Sequence, residues 1–163
     1  MAMVWGQEEL FAEASEDEIQ TTEFYLDKFK TMQIFMSDFE KFQKELAQVA
    51  IDGEAARRID QEDLHADKTA NAVILNEKQR WVYGRYKVYS AMIRRAHSQI
   101  IDEEAKQAID IRFLQGYSRK ETILFMKRGV AGSTVDRRIS EGIESMANTL
   151  KLMGFFEEIC REF

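Results

Sequence analysis

The chain contains no proline, and that absence constrains its architecture before any residue present is considered. With no residue lacking an amide N–H, nothing of that kind breaks a helix, and 163 residues without one favour long uninterrupted helices. Cysteine is nearly absent too. The single Cys160 excludes a disulfide framework and a cysteine-rich zinc site. Its apolar neighbours give the expectation of an inert, buried or half-buried thiol. Histidine occurs twice. His65 lies between Asp63 and Asp67 without a second cluster to complete a metal site, and His97 is placed to meet a helix C-terminus or solvent. No glycine-rich loop follows a strand pattern, no alternation supports a sheet, and no nucleophile–base pair emerges. The reading is therefore a non-enzyme with no cofactor and no metal. No apolar run is long enough to span a bilayer and no secretory leader opens the sequence, so the expected location is the cytoplasm, with no membrane partner.

Charge is present but unevenly placed. Residues 1–66 hold sixteen acidic and six basic side chains, whereas residues 67–163 hold thirteen acidic and seventeen basic. A net charge of −6 thus conceals an acidic front and a basic back, the distribution of a nucleic-acid-binding domain joined to a separate acidic module.

Along the chain, Val4, Trp5, Leu10 and Phe11 form no clear period and read as an arm, free or docked. Ser15-Glu-Asp-Glu18 is a capping box. A helical pattern runs from it to about Ile51, with Phe29, Met32, Met36, Phe39 and Leu46 on one stripe and Phe35, Phe42 and Val49 beside it. Such a helix must bury its aromatics on another, of the same chain or of a second copy, which makes residues 15–51 the candidate homodimer contact. Gly53 is the expected stop, and the charged residues 53–68 the expected linker. The division is thus an acidic helical region over 1–52, a linker, and a helical DNA-binding domain over 69–163.

Within residues 69–100, Val73, Ile74, Trp81, Val82, Tyr86, Tyr89, Met92 and Ile93 recur at helical spacing. Lys78, Arg80, Arg85, Lys87, Arg94 and Arg95 fall in one run, residues 78–95, without one acid. Basic residues interleaved with Tyr83, Tyr86 and Tyr89 suit contact with phosphates. The alternative is that the aromatics are core and the bases merely offset the acidic front.

Three helices separated by glycine stops follow. Asp102 caps the first, whose stripe is Ala105, Ala108, Ile109, Phe113 and Leu114, and Gly116 ends it. Ser118-Arg-Lys-Glu121 is a second capping box, opening a short helix through Ile123–Met126 that Gly129 stops. Gly132-Ser-Thr-Val-Asp-Arg-Arg138 begins the third, with Val135, Ile139, Met146 and Leu150 facing inward. The apolar tail from Leu150 to Ile159 seals the domain. A short helix, a glycine turn, then a helix with Ser, Thr and Arg at its start is how a recognition helix is presented to the major groove.

Arg112-Phe-Leu-Gln-Gly-Tyr-Ser-Arg-Lys-Glu-Thr-Ile123, followed by Gly-Ser-Thr-Val-Asp-Arg-Arg138, resembles the C-terminal helix-turn-helix of sigma-70-type factors. Within that group it is most similar to ArpU/RinA-like phage and prophage transcriptional regulators, over roughly residues 70–155. The pattern departs at two points. Arg128 stands where the family keeps a buried leucine, a role that passes to Phe125 or Met126. Ala131 stands where a serine caps, leaving Gly132 or Ser133 to do so. The resemblance implies an all-α fold, a long N-terminal helix plus a C-terminal domain with a sigma-like helix-turn-helix at about 117–148. It also implies control of phage late or lytic genes through double-stranded DNA and host RNA polymerase. Ser133, Thr134, Asp136, Arg137 and Ser140 are the expected DNA-facing residues of the recognition helix, with Arg137 the guanine reader. Arg138 turns partly inward, toward a phosphate or an intramolecular pair. Arg119, Lys120, Lys127 and Arg128 flank the turn for phosphate contact. Two alternatives stay open: a small-terminase-like DNA-packaging protein, and a helical protein-interaction adaptor that binds no DNA.

Overall fold

The computed structural model describes residues 5–56, 66–126 and 130–161, and among them every regular element is helical. The all-α expectation holds. In order the helices are α1 (Gln7–Leu10), α2 (Glu16–Ala56), α3 (Ala66–Ser98), α4 (Glu103–Ile109), a π-helical turn (Asp110–Leu114), α5 (Arg119–Phe125), α6 (Gly132–Leu152) and α7 (Phe155–Cys160). The Ser15 box forms in full: the Glu18 N–H donates to Ser15 Oγ at 3.2 Å and the Ser15 N–H to Glu18 Oε1 at 2.9 Å. α2 does not stop at Gly53 but continues to Ala56. A glycine ends a helix only when the chain there turns left-handed, and among the described residues only Gly116 and Gly154 have positive φ, +81° and +76°. Gly129, His65 and most of the expected linker lie outside the described residues.

Contacts divide the chain into two compact units, one of Met1–Thr31 with Tyr89–Phe163 and one of Met32–Val88. The first turns of α2 thus belong with the C-terminal helices, although sequence order groups them with the acidic front. In the first unit three bonds hold them there. The Ala14 N–H donates to Asn148 Oδ1 at 2.7 Å, and Lys151 Nζ donates to the Glu13 carbonyl and to Glu18 Oε1, each at 3.0 Å. Burial disfavours the Glu18 carboxylate, but the Ser15 N–H and the Lys151 ammonium outweigh it and hold the carboxyl below its ordinary range. Tyr25 meets Tyr89 and Phe155 edge-on, with ring centres 5.4 and 5.2 Å apart, and Leu26 and Phe29 are buried. Trp5 and Phe11 remain exposed rather than docked.

In the second unit α2 finds an intramolecular partner in α3. Phe35 meets Tyr86 edge-on and Phe39 stacks on Tyr83 with centres 4.6 Å apart, while the Tyr83 hydroxyl donates to Glu40 Oε1 at 2.7 Å. Gln43 Nε2 donates to Asn76 Oδ1 at 3.2 Å. The tyrosines of the basic stretch are therefore packing residues.

In the first unit, α4 carries the C-terminal helices. Asp102 caps it as expected, its Oδ1 accepting from the Glu104 and Ala105 N–H groups at 2.9 and 3.2 Å. The helix then widens into the π turn, where the Gln115 N–H reaches back to the Asp110 carbonyl at 2.8 Å. Ala105, Ala108 and Ile109 are buried, as are Ile111 and Phe113 of the π turn. α6 crosses α4 at Gly142, where a Cβ would lie 2.5 Å from Ile109 Cγ1, so only glycine permits this approach. After the Gly154 turn, Phe155 and Ile159 are buried, but Cys160 is exposed, contrary to expectation. On this short helix the fifth position after Phe155 falls off the face that Phe155 and Ile159 share.

Candidate nucleic-acid interface

α5 begins at the Ser118 cap, whose Oγ accepts the Glu121 N–H at 3.2 Å while its hydroxyl donates to the Glu121 carboxylate at 3.2 Å. Of the two residues offered for the buried role at its end, Met126 takes it, and Phe125 is exposed. Met126 joins Ala108, Ile111 and Val135 in a core, with Ile123, Val130 and Ile139 packed around it. This core fixes α5 against the start of α6. Their approach is close at Gly132, where a Cβ would stand 3.3 Å from Ile123 Cδ1 and 3.5 Å from Arg119 Nη2.

The N-cap of α6 is Ala131, which has no side-chain bond to give, and not Gly132 or Ser133. The helix begins one residue earlier than expected because Ala131 already has the extended backbone of a cap, while its carbonyl accepts the Thr134 and Val135 N–H groups at 3.0 and 3.2 Å. Val135, Gly142, Ile143, Met146, Ala147 and Leu150 point inward. That leaves Ser133, Arg137, Ser140, Glu141 and Glu144 on the opposite, exposed stripe. The stripe is polar to basic over its first two turns and acidic beyond, so a polyanion is favoured only at its N-terminal end.

Of the residues singled out in the sequence, Ser133, Arg137 and Ser140 share this stripe, Thr134 and Asp136 flank it half-buried, and Lys120 is exposed on α5. Lys127 and Arg128 lie outside the described residues. Arg119 and Asp136 meet in a two-pronged pair, Nε to Oδ1 and Nη2 to Oδ2, both at 2.7 Å. The Arg119 guanidinium holds the Asp136 carboxyl below its ordinary range. Both Asp136 oxygens therefore face a partner inside the chain. Arg138 is the inward member expected: its Nε donates to Glu104 Oε2 at 2.9 Å, and its Nη1 to Asp102 Oδ2 at 2.9 Å and Glu141 Oε2 at 3.1 Å. Three carboxylates around one guanidinium tie the start of α4 to α6 and take Arg138 out of the positive surface. Arg137 stays exposed, with Glu141 Oε1 3.9 Å from its Nε.

The sequence did not signal the Arg119–Asp136 pair, which joins positions seventeen residues apart. The Arg137–Glu141 spacing was legible as a helical i,i+4 pair. His97 stands in the last turn of α3, as expected, and its Nε2 lies 2.9 Å from the Lys106 oxygen. An open groove of about 310 Å³ lies beside α5, lined by Gln107, Asp110, Ile111, Gln115, Tyr117 and Phe125. Among the described residues no cluster of histidine, cysteine and acidic side chains could hold a metal, and no helix is long and apolar enough to cross a membrane. No family model matches the chain, and neither the curated proteins nor the solved structures include a match to it.

Proposed function

We propose that this protein is a sequence-specific DNA-binding transcriptional regulator that presents α6 to the major groove, with α5 as its support. The observation that carries the reading is the α6 stripe. Ser133, Arg137 and Ser140 project from the first turns of a helix whose far side is fully engaged in the core. Arg137 is its most exposed cation and the natural donor to a guanine edge, while Ser133 and Thr134 suit a flanking phosphate. The Arg119–Asp136 pair ties the two helices into one reading head, so Asp136 serves to hold Arg119 rather than to accept from a cytosine. Control of phage late or lytic genes, together with host RNA polymerase, is the biological setting the sigma-like motif suggests.

The test is binding to pooled fragments of the encoding genome over a salt series. The full chain should enrich a small set of fragments. Arg137→Ala should cost about 1–3 kcal/mol on those fragments and little on the rest. Equal affinity of wild type and Arg137→Ala for the enriched fragments would refute the assignment of Arg137, and no enrichment would refute sequence-specific reading.

A further inference from the structure

The second compact unit, Met32–Val88, has an apolar edge open to solvent. Its helical segments come from α2 and α3, which run antiparallel, Phe35 meeting Tyr86 and Gln43 meeting Asn76. Phe39 faces α3, since its ring stacks on Tyr83, and the Tyr83–Glu40 bond marks one edge of the pair. Around α2, Glu40 lies about 100° from Phe39 toward that edge, while Phe35, Phe42, Asp38 and Glu45 lie about 40°, 60°, 100° and 120° toward the other. Around α3, counted from Gln79, Tyr83 lies about 40° toward the Glu40 edge, and Val82, Lys78 and Arg85 lie about 60°, 100° and 120° the opposite way. The edge away from Glu40 is therefore banded: acids on α2, then Phe35, Phe42 and Val82, then bases on α3. A groove of about 190 Å³ opens there, lined by Phe35, Asp38, Phe39, Phe42 and Gln79. Phe42 is exposed, and Phe35 and Val82 are half-buried. Asp38, Glu45 and Lys78 are in no ion pair among the described residues.

We propose that this edge seats a second copy of the chain, giving a two-fold dimer through a four-helix bundle. Two arrangements can close it. An axis across the helices sets α2 on the second copy's α2, acid against acid. An axis parallel to the helices sets α2 on the second copy's α3 and keeps every residue at its own height. Phe39 is level with Tyr83, so Asp38 is level with position 84 and Glu45 with position 77. Asp38 then stands within one residue, about 1.5 Å of rise, of Arg85 of the second copy, and Glu45 equally close in height to its Lys78. Each pairing occurs twice, and Phe35, Phe42 and Val82 of both copies meet between them. Charge complementarity and this register select the parallel axis, as charged flanks beside an apolar seam set partner and orientation in helical bundles. The dimer goes beyond the DNA-binding reading and does not depend on it.

The experiment is sedimentation equilibrium of full chains from low to high micromolar concentration. Wild type should be a dimer at the upper end, and added salt should weaken it. Asp38→Lys/Glu45→Lys makes both flanks basic and Lys78→Glu/Arg85→Glu makes both acidic, so each variant alone should associate at least about tenfold more weakly. Mixed in equal amounts, with a fluorescent tag on one, the two variants should pair with each other. Arg80→Glu/Lys87→Glu changes charge by the same amount on the Glu40 side of α3 and should dimerise like wild type. Circular dichroism checks that each variant keeps its helices, and recovery in the mixture cannot come from misfolded chains.

A monomeric wild type, or a closed assembly larger than two, would overturn the dimer. Reversals that leave it intact, or folded variants that fail to pair when mixed, would overturn this face as its seat. A wild-type dimer strengthened by salt would mean that like charges face each other and would overturn the parallel axis. Fragment binding on the same samples separates the two readings: lost selectivity with the dimer intact would count against α6 alone.

Discussion

Two glycines in helix interiors should answer the same substitution with opposite signs. At Gly142 the added methyl of Gly142→Ala would stand 2.5 Å from Ile109 Cγ1, 3.0 Å from Ile109 Cδ1 and 3.3 Å from the Ala105 carbonyl oxygen. Carbon atoms rest at about 3.5–4.0 Å, so Ile109 must retreat by roughly an ångström. It is fully buried. Overpacking of this kind costs about 1–3 kcal/mol, against which alanine returns about 1 kcal/mol of helix propensity. The balance is a loss of up to about 2 kcal/mol, or several degrees in Tm for a chain of this length. Gly84→Ala meets nothing within 4 Å and collects only the propensity gain, so its Tm should rise by about 2 °C. Thermal and urea unfolding followed by circular dichroism measures both. A further arm isolates the cause: Ile109→Ala removes the clashing atoms, so Gly142→Ala should cost less in that background, with a coupling of about 1 kcal/mol or more. A Gly142→Ala protein as stable as Gly84→Ala, or an additive cycle, would refute the close-packing account of the α4–α6 crossing.

Two further perturbations test the electrostatics. Because the folded-state pKa of Glu18 is depressed, its contribution is complete above the ordinary glutamate range and disappears as pH falls through the folded value. Glu18→Gln should therefore cost about 0.5–1 kcal/mol at neutral pH, and the gap in Tm from wild type should close as the pH is lowered below the ordinary glutamate range. A gap of constant size across that range would exclude the Lys151–Glu18 tether as its source. Asp102→Ala removes a helix cap and one of three acceptors around Arg138, and should cost about 1–2 kcal/mol. Asp102→Asn retains the capping oxygen and should stay within about 0.5 kcal/mol of wild type in chemical denaturation. Equal losses for the two variants would show that the ion pair, not the cap, dominates at this position.

Features set by a few neighbouring residues were legible from the sequence. Ser15, Asp102 and Ser118 cap the helices they precede, and Gly116 turns the chain where the apolar stripe ends, because each depends on bonds spanning at most six residues. The inward face of α6 followed from its period for the same reason. Pairing between distant segments was hidden. Asp136 looks like a base-facing carboxylate until Arg119 is placed across from it, and nothing local distinguishes buried Met126 from exposed Phe125 beside it. The tyrosines of α3 suited either phosphate or core, and their partners on α2 decided for core. Gly53 misled because a glycine marks a stop only when the chain reverses after it, which composition does not report.

The widened turn at Asp110–Leu114 acts as a phase slip in the helical repeat. Continued as an ordinary α-helix, the buried series Ala105, Ala108, Ile109 would next point Arg112 at the core. Phe113, four residues after Ile109, lies on the inside. Arg112 swings out, its guanidinium over the Phe113 ring and its Nη1 donating to the Tyr117 carbonyl at 3.1 Å. The consequence of the slip is one of aim: every residue after it is rotated about the axis of α4, so the direction in which Ser118 starts α5 is set by a single residue of added length upstream.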